Sequence, residues 1–399
     1  MTTQDFLDMS HLFDLSPLAR LMLVGVLLAL PPLAWVGLRQ RRAGPSQRLQ
    51  TLALVTLFLT FDLVLFGAFT RLTDSGLGCP DWPGCYGSAT PLGAQTQISL
   101  AQTALPSGPV THTKAWIEMI HRYLASGVGV LIVVMTCLSW WGSKPRGSAP
   151  AVRPFSPWWP TLTLVWVCMQ GAFGALTVTM KLFPAIVSLH LLGGYGLLAL
   201  LTIQVVKGRG HEHQPLQGGG PVHVLHGVRF WIAACLALLL LQAASGAWVS
   251  TNYAVLACSE FPMCQGSWWP DMDFAGGFEL WRALGLSGQG QSITFQALTA
   301  IHMTHRMLAV VTLLALGSLA AYLWASTSLN GYAKALAALL LLQFITGVSN
   351  AVLGWPLLAA VLHTGGAGAM VVVLTGLLTA TRSYSPQQQP LAFVRRSKA

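Results

Sequence analysis

The sequence predicts an all-α polytopic membrane protein: two tandem four-helix bundles, related as a parallel internal repeat, plus one extra N-terminal transmembrane helix. Three observations lead there. Charged residues make up only 9% of the 399 and hydrophobic residues 54%, with a mean hydropathy of +0.60. A soluble domain carries roughly 25% charged residues, so this chain cannot coat its own surface in water. Apolar runs of about 20 residues recur, each long enough to cross a bilayer as a helix. Finally, short motifs return at fixed separations, the mark of an internal duplication.

In order, the apolar spans fall at 19–38, 51–70, 115–141, 160–179, 185–206, 229–250, 295–325, 333–353 and 357–381. The first is long, lacks a basic leading segment and has no clear small-residue cleavage site after it, so it reads as an anchor and not a signal peptide. The chain then divides into 1–49 (anchor helix and basic loop), 50–206 (first bundle), 207–228 (a Gly-, His- and Gln-rich linker), 229–382 (second bundle) and 383–399 (basic tail).

The +10 formal charge is a topology signal. Arg39, Arg41, Arg42 and Arg48 fill one loop, and Lys144, Arg146 and Arg153 another. Lys207, Arg209 and Arg229, then Lys334, then Arg382, Arg395, Arg396 and Lys398 mark further segments on the same side. Basic residues gather in the cytoplasm. The alternate segments carry Asp5, Asp8, Asp14, Asp74, Asp81, Glu260, Asp271, Asp273 and Glu279. The expected topology is N-terminus outside and C-terminus cytoplasmic, with lipid and not nucleic acid as the large partner.

The repeat is explicit. Gly67-Ala68 returns as Gly246-Ala247, Cys79 as Cys258 and Cys85 as Cys264, all 179 residues on. Gln170, Gly174 and His190 return as Gln343, Gly347 and His363, 173 residues on, and His121-Arg122 returns as His305-Arg306. Each half has an even number of spans, so the halves share one orientation, as parallel repeats do.

Ionisable residues inside a bilayer are costly and mark function when present. Each half carries one His on its second helix and one on its fourth: His121 with His190, and His305 with His363. Two histidines on facing helices of a bundle can ligate one haem iron from both faces. The alternatives are helix-packing hydrogen bonds and zinc, though zinc prefers three or four protein ligands. Gly193, Gly194, Gly365 and Gly366 would admit a macrocycle or a neighbouring helix. Arg122 and Arg306 suit haem propionates, or an interfacial position with the head group in water. The halves differ three residues before the first His: Glu118 against His302. Residues three apart share a helix face, and a carboxylate there could accept a proton or stabilise a developing cation; its alternative is an ion pair with Arg122. Asp62 is another acid at membrane depth.

Cys79, Cys85, Cys258 and Cys264 lie in outer loops, where disulfides persist. Two short-range disulfides are the simplest pairing, cross-pairing between halves the alternative. Cys137, Cys168 and Cys235 read as packing residues. His211, His213, His223 and His226 read as solvated linker residues.

Thr70-Arg71-Leu72-Thr73, Ser75-Gly76-Leu77 and Cys79-Pro80-Asp81-Trp82-Pro83 with Cys85, followed by Glu118-Met119-Ile120-His121-Arg122, resemble the first outer loop and catalytic helix of haem A synthases. The resemblance covers about 50–382; the extra first helix departs from the family's usual eight-helix plan. It implies oxidation of the C8 methyl of haem O to a formyl group, giving haem A for cytochrome oxidase in a bacterial inner membrane. It implies that His121 and His190 hold the haem O substrate with Glu118 as catalytic carboxylate, and that His305 and His363 ligate a permanent haem b. Partners so implied are haem O, haem A, a haem O synthase and an electron acceptor or donor in the membrane or periplasm, with a homo-oligomer allowed. The rival reading is a di-haem b electron-transfer subunit, against which an acid in only one pocket argues.

Overall fold

A computed structural model describes residues 16–141, 156–209, 222–325 and 329–382. The acidic Asp5, Asp8 and Asp14, the basic Lys144, Arg146 and Arg153, the linker histidines His211 and His213, and the tail with Arg395, Arg396 and Lys398 lie outside the described residues.

The described chain is helical throughout, with isolated bridges only in the loops. The helices are α1 (Ser16–Arg39), α2 (Pro45–Leu72), α3 (Gln95–Ala104), α4 (His112–Trp141), α5 (Trp158–Thr179), α6 (Pro184–Arg209), α7 (Val222–Thr251), α8 (Phe274–Gly277), α9 (Phe295–Trp324), α10 (Asn330–Val352) and α11 (Leu357–Arg382). Among the described residues nine are long and apolar enough to cross a membrane: all but α3 and α8. They match the nine expected spans to within a few residues at each end, most running slightly further. The linker at 207–228 is shorter than expected, because α6 and α7 extend into it and take His223 and His226 onto helix α7. The outer loop after α2 carries α3, which the apolar pattern did not announce.

Local chemistry sets the ends. Pro45 starts α2, where a missing N–H costs nothing. Thr294 caps α9 by accepting from the Ala297 N–H at 3.1 Å. Lys181 and Leu182 in left-handed conformation make the tight α5–α6 turn, and Gly354 with Trp355 the α10–α11 turn.

α2, α4, α5 and α6 pack in a closed cycle, and so do α7, α9, α10 and α11. The cycles touch where α6 meets α7 and α11, and where α11 meets α2. Apolar interiors follow the same division. Leu52, Leu131, Ile132, Met135 and Leu201 are buried in one cluster, and Leu239, Leu316, Leu319, Leu374 and Leu377 in the other. Leu23, Leu27, Phe58, Leu241 and Leu314 lie on the outside, as a lipid-facing surface requires.

α1 docks on α4. Gly25 meets Ser126 so closely that a Cβ there would strike it. Leu21 reaches the cluster formed by Cys79, Cys85, Ala115 and Met119. The extra helix therefore encloses one side of the first cycle and its loop.

Asp74 and Tyr253 stand 179 residues apart, as the matched cysteines do. Both are left-handed, and the Tyr253 hydroxyl donates to Asp74 at 2.5 Å. Arg71 adds bonds to the Tyr253 hydroxyl at 3.0 Å and to the Ser250 carbonyl at 2.7 Å. Corresponding positions of the two halves thus meet face to face.

Candidate functional site

The four membrane histidines fall into two pairs near the loop end of the helices. His305 on α9 and His363 on α11 have ring centres 6.4 Å apart, with planes at 77°. Two imidazoles each bound at about 2.0 Å to one metal put their ring centres roughly 6 Å apart, so this spacing suits a shared iron. Among the described residues no three His, Cys, Asp or Glu side chains gather as a metal site. A pair of histidines would suit a haem iron, whose macrocycle supplies its remaining nitrogens.

Each imidazole lies against a glycine of a neighbouring helix. A Cβ at Gly67 would sit 2.9 Å from His121 Nε2, and one at Gly246 2.9 Å from His305 Cε1. Gly174 stands similarly against His190 and Gly347 against His363. The repeat had flagged these four glycines without giving them a task. The glycines after His190 and His363 serve packing: Gly193 faces Gln170, Gly194 faces Val64, Gly365 faces Leu65 and Gly366 faces Gln343.

Polar partners differ between the pairs. His305 Nδ1 lies 2.9 Å from Ser245 Oγ, and His363 Nδ1 3.0 Å from Thr346 Oγ1. His121 instead stacks on Phe66, ring centres 6.4 Å apart at 14°, and His190 Nδ1 is buried with no hydrogen-bond partner.

Glu118 is buried at 4% exposure and His302 matches it at 4%. One Glu118 oxygen accepts from the Cys79 backbone N–H at 2.8 Å, and the other pairs with Arg122. Arg122 also donates to the carbonyls of Asp81, Pro83 and Gly84 at 3.0, 3.1 and 2.6 Å. Thus the ion pair weighed from the sequence is present, the carboxylate is buried, and the pair clamps α4 to the first loop. In the second half Arg306 donates to His302 Nε2 at 3.2 Å and to the Met263 and Cys258 carbonyls at 3.1 and 3.0 Å. Both arginines spend these donors on loop carbonyls.

The loops close as Cys79–Cys85 and Cys258–Cys264 disulfides, the short-range pairing. All four cysteines are fully buried. Each loop makes the same small bridge, Cys85 with Ser88 and Cys264 with Ser267. Cys235 is buried as a packing residue, whereas Cys137 and Cys168 are exposed on the helix surface and do not fill the interior. Asp62 is also on the outside.

Residues 50–375 match the cytochrome oxidase assembly protein family, COX15-CtaA. The chain belongs to this family. A heme A synthase of Shewanella oneidensis is 36% identical over 324 residues, 80% of this chain and 92% of that protein. One from Caulobacter vibrioides is 27% identical over 351 residues, covering 79% and 91%. One from Alkalihalophilus pseudofirmus is 27% identical over 231 residues, covering 57% and 67%. The family match begins after α1, so the docking of α1 on α4 lies outside the shared region.

Proposed function

We propose that this protein is a haem A synthase: an oxidoreductase that converts the C8 methyl of haem O to a formyl group and so supplies haem A for cytochrome oxidase. Its heme A synthase relatives support that activity over a di-haem electron carrier. The observation that carries the division of labour is Glu118. It stands one helical turn from His121 in one half, where the other half has His302.

In this reading 50–206 is the substrate half and 229–382 the cofactor half, each a four-helix repeat, with 1–49, 207–228 and 383–399 as anchor, linker and tail. His121 and His190 hold haem O. His305 and His363 would hold a permanent haem b, which would supply a one-electron acceptor beside the substrate half. Glu118 presents a fixed negative charge beside the substrate pocket, held in place by Arg122 and the Cys79 N–H. Such a charge stabilises a cation developing at the oxidised methyl. Arg122 and Arg306 hold the loops over the two pockets, and any propionate contact uses donors beyond those bonds. The Cys79–Cys85 loop fixes the Glu118 end of the site; Cys258–Cys264 does the same beside His302.

The expected setting is a bacterial inner membrane, N-terminus outside and C-terminus cytoplasmic. Further partners are a haem O synthase and a membrane or periplasmic electron acceptor or donor. The test is pigment extraction from cells that make haem O and carry this chain as the sole candidate synthase. Haem A is expected; haem O and haem b alone would favour an electron carrier.

A further inference from the structure

The internal repeat lets each ligand's surroundings be read twice. Ser245 corresponds to Phe66, Gln242 to Leu63 and Thr346 to Phe173, by the same separations of 179 and 173 that relate the matched cysteines and His190 with His363. Each polar side chain within hydrogen-bond reach of a ring nitrogen of the second pair is thus apolar at the matching place in the first, whereas Gln343, on the His363 carbonyl, is matched by Gln170.

The hydroxyls fix the protons. The Ser245 hydroxyl donates to the Gln242 carbonyl at 2.8 Å, and the Thr346 hydroxyl donates to the Leu342 carbonyl at 2.7 Å. A hydroxyl has one proton to give. With that proton on the carbonyl, each oxygen is free to accept from His305 Nδ1 at 2.9 Å and from His363 Nδ1 at 3.0 Å. Both imidazoles then carry their proton on Nδ1 and leave the Nε2 lone pair for a metal. The Gln242 amide is 3.1 Å from His305 Nδ1, and its Oε1 has no partner. The same amide nitrogen donates to the His305 backbone carbonyl at 3.3 Å and lies 3.4 Å from His305 Nε2. His190 Nδ1 by contrast is buried without a partner, and His121 has an aromatic ring beside it.

An acceptor on the far nitrogen of a metal-bound histidine fixes its tautomer and ring orientation and raises its basicity; losing such a partner costs typically 10–100-fold in metal affinity. We propose that Ser245 and Thr346 are positioning residues that lock His305 and His363 onto a retained haem, and that Phe66 and Phe173 leave the first pair unlocked so that its haem can enter and leave. This rests on the assignment of haem to the two histidine pairs and extends it: one scaffold becomes a cofactor site or a substrate site by its hydroxyls.

The test uses the purified full-length protein in detergent and measures haem b transfer to excess apomyoglobin, together with the haem midpoint potential. The variants are Ser245→Ala/Thr346→Ala, with Gln242→Leu added, and the reciprocal Phe66→Ser/Phe173→Thr. Haem b should leave the first set roughly 10–100-fold faster, at a higher potential because the ligands are less basic, with Ser245→Thr restoring both values. The reciprocal variant should release haem O at least tenfold more slowly than the parent. Release rates within twofold of the parent in both sets, with no rise in potential in the first, would overturn the proposal. Low-spin haem b unchanged in His305→Ala would instead overturn the ligand assignment itself, so the two failures are distinguishable. Fold loss is read separately: protein that has lost its helical content releases both haems, whereas the proposal requires only the altered pocket to change.

Discussion

The two histidine pairs take corresponding places, on α4 with α6 and on α9 with α11, and differ in the side chains beside them. Each histidine faces a glycine, the first of each pair is followed by an arginine bound to a loop carbonyl, and each loop is closed by a disulfide. The first pair adds a buried acid, an enclosing helix and an aromatic neighbour of His121. The second adds a hydroxyl beside each imidazole. Duplication explains what is alike. The differences show where one copy could change its chemistry without changing its backbone.

Removing the acid should produce the largest separation of the halves. Glu118→Ala should leave haem b at His305 and His363 intact and lower haem A formed per haem b by about 10²-fold, the usual effect of losing a charge-stabilising or acid–base group. Because Glu118 also receives the Cys79 N–H and Arg122, the protein yield should fall too. Normalising to haem b separates the effects, and normal haem A per haem b would leave the carboxylate with the loop clamp alone.

Glycine substitutions should give the next largest effect and should sort by half. An added Cβ at Gly246 meets His305 at 2.9 Å, and one at Gly67 meets His121 at 2.9 Å. Each ring must shift, and a misplaced ligand should weaken its haem by roughly tenfold. Gly246→Ala should reduce bound haem b, read from the low-spin spectrum, with Gly67→Ala reducing bound haem O. Equal losses in both pigments from either variant would show the pockets are not independent.

The contact between the halves predicts a smaller effect. Burial raises the Tyr253 hydroxyl above the ordinary value of 10.0, which keeps it protonated and donating to Asp74. Tyr253→Phe should cost about 1 kcal/mol, the net value of one hydrogen bond, read as a lower unfolding temperature in detergent. The sign follows from the raised value: this contribution is full below pH 10.0 and is lost as pH rises towards the folded-state value. An unchanged unfolding temperature would mean that this hydroxyl adds nothing to the contact between the halves.

The spans, the four histidines, Glu118 and the two cysteine pairs were legible because each breaks a pattern: a charge in an apolar run, or a motif repeated at fixed separation. Helix ends at the linker were not, since the sequence that extends α6 and α7 is Gly- and His-bearing and looks like loop. Ser245 and Thr346 are ordinary helix residues by composition; only their placement beside an imidazole gives them meaning, although aligning them with Phe66 and Phe173 would have raised the question. The Asp74–Tyr253 contact needs both halves in place, and a sequence read in one direction cannot show it. Arg122 was legible as a charge at the pocket edge, but its carbonyl partners depend on how the first loop folds back.

The central claim is that haem O occupies the first pocket and haem b the second. The most direct test is pigment analysis of purified His121→Ala and His305→Ala proteins from cells that make both haems. The account predicts that His121→Ala retains low-spin haem b and carries neither haem O nor haem A, and that His305→Ala loses the low-spin haem b while still taking up haem O. Loss of haem b from His121→Ala, with haem O or haem A kept in it and lost from His305→Ala, would contradict the account by exchanging the roles of the two halves.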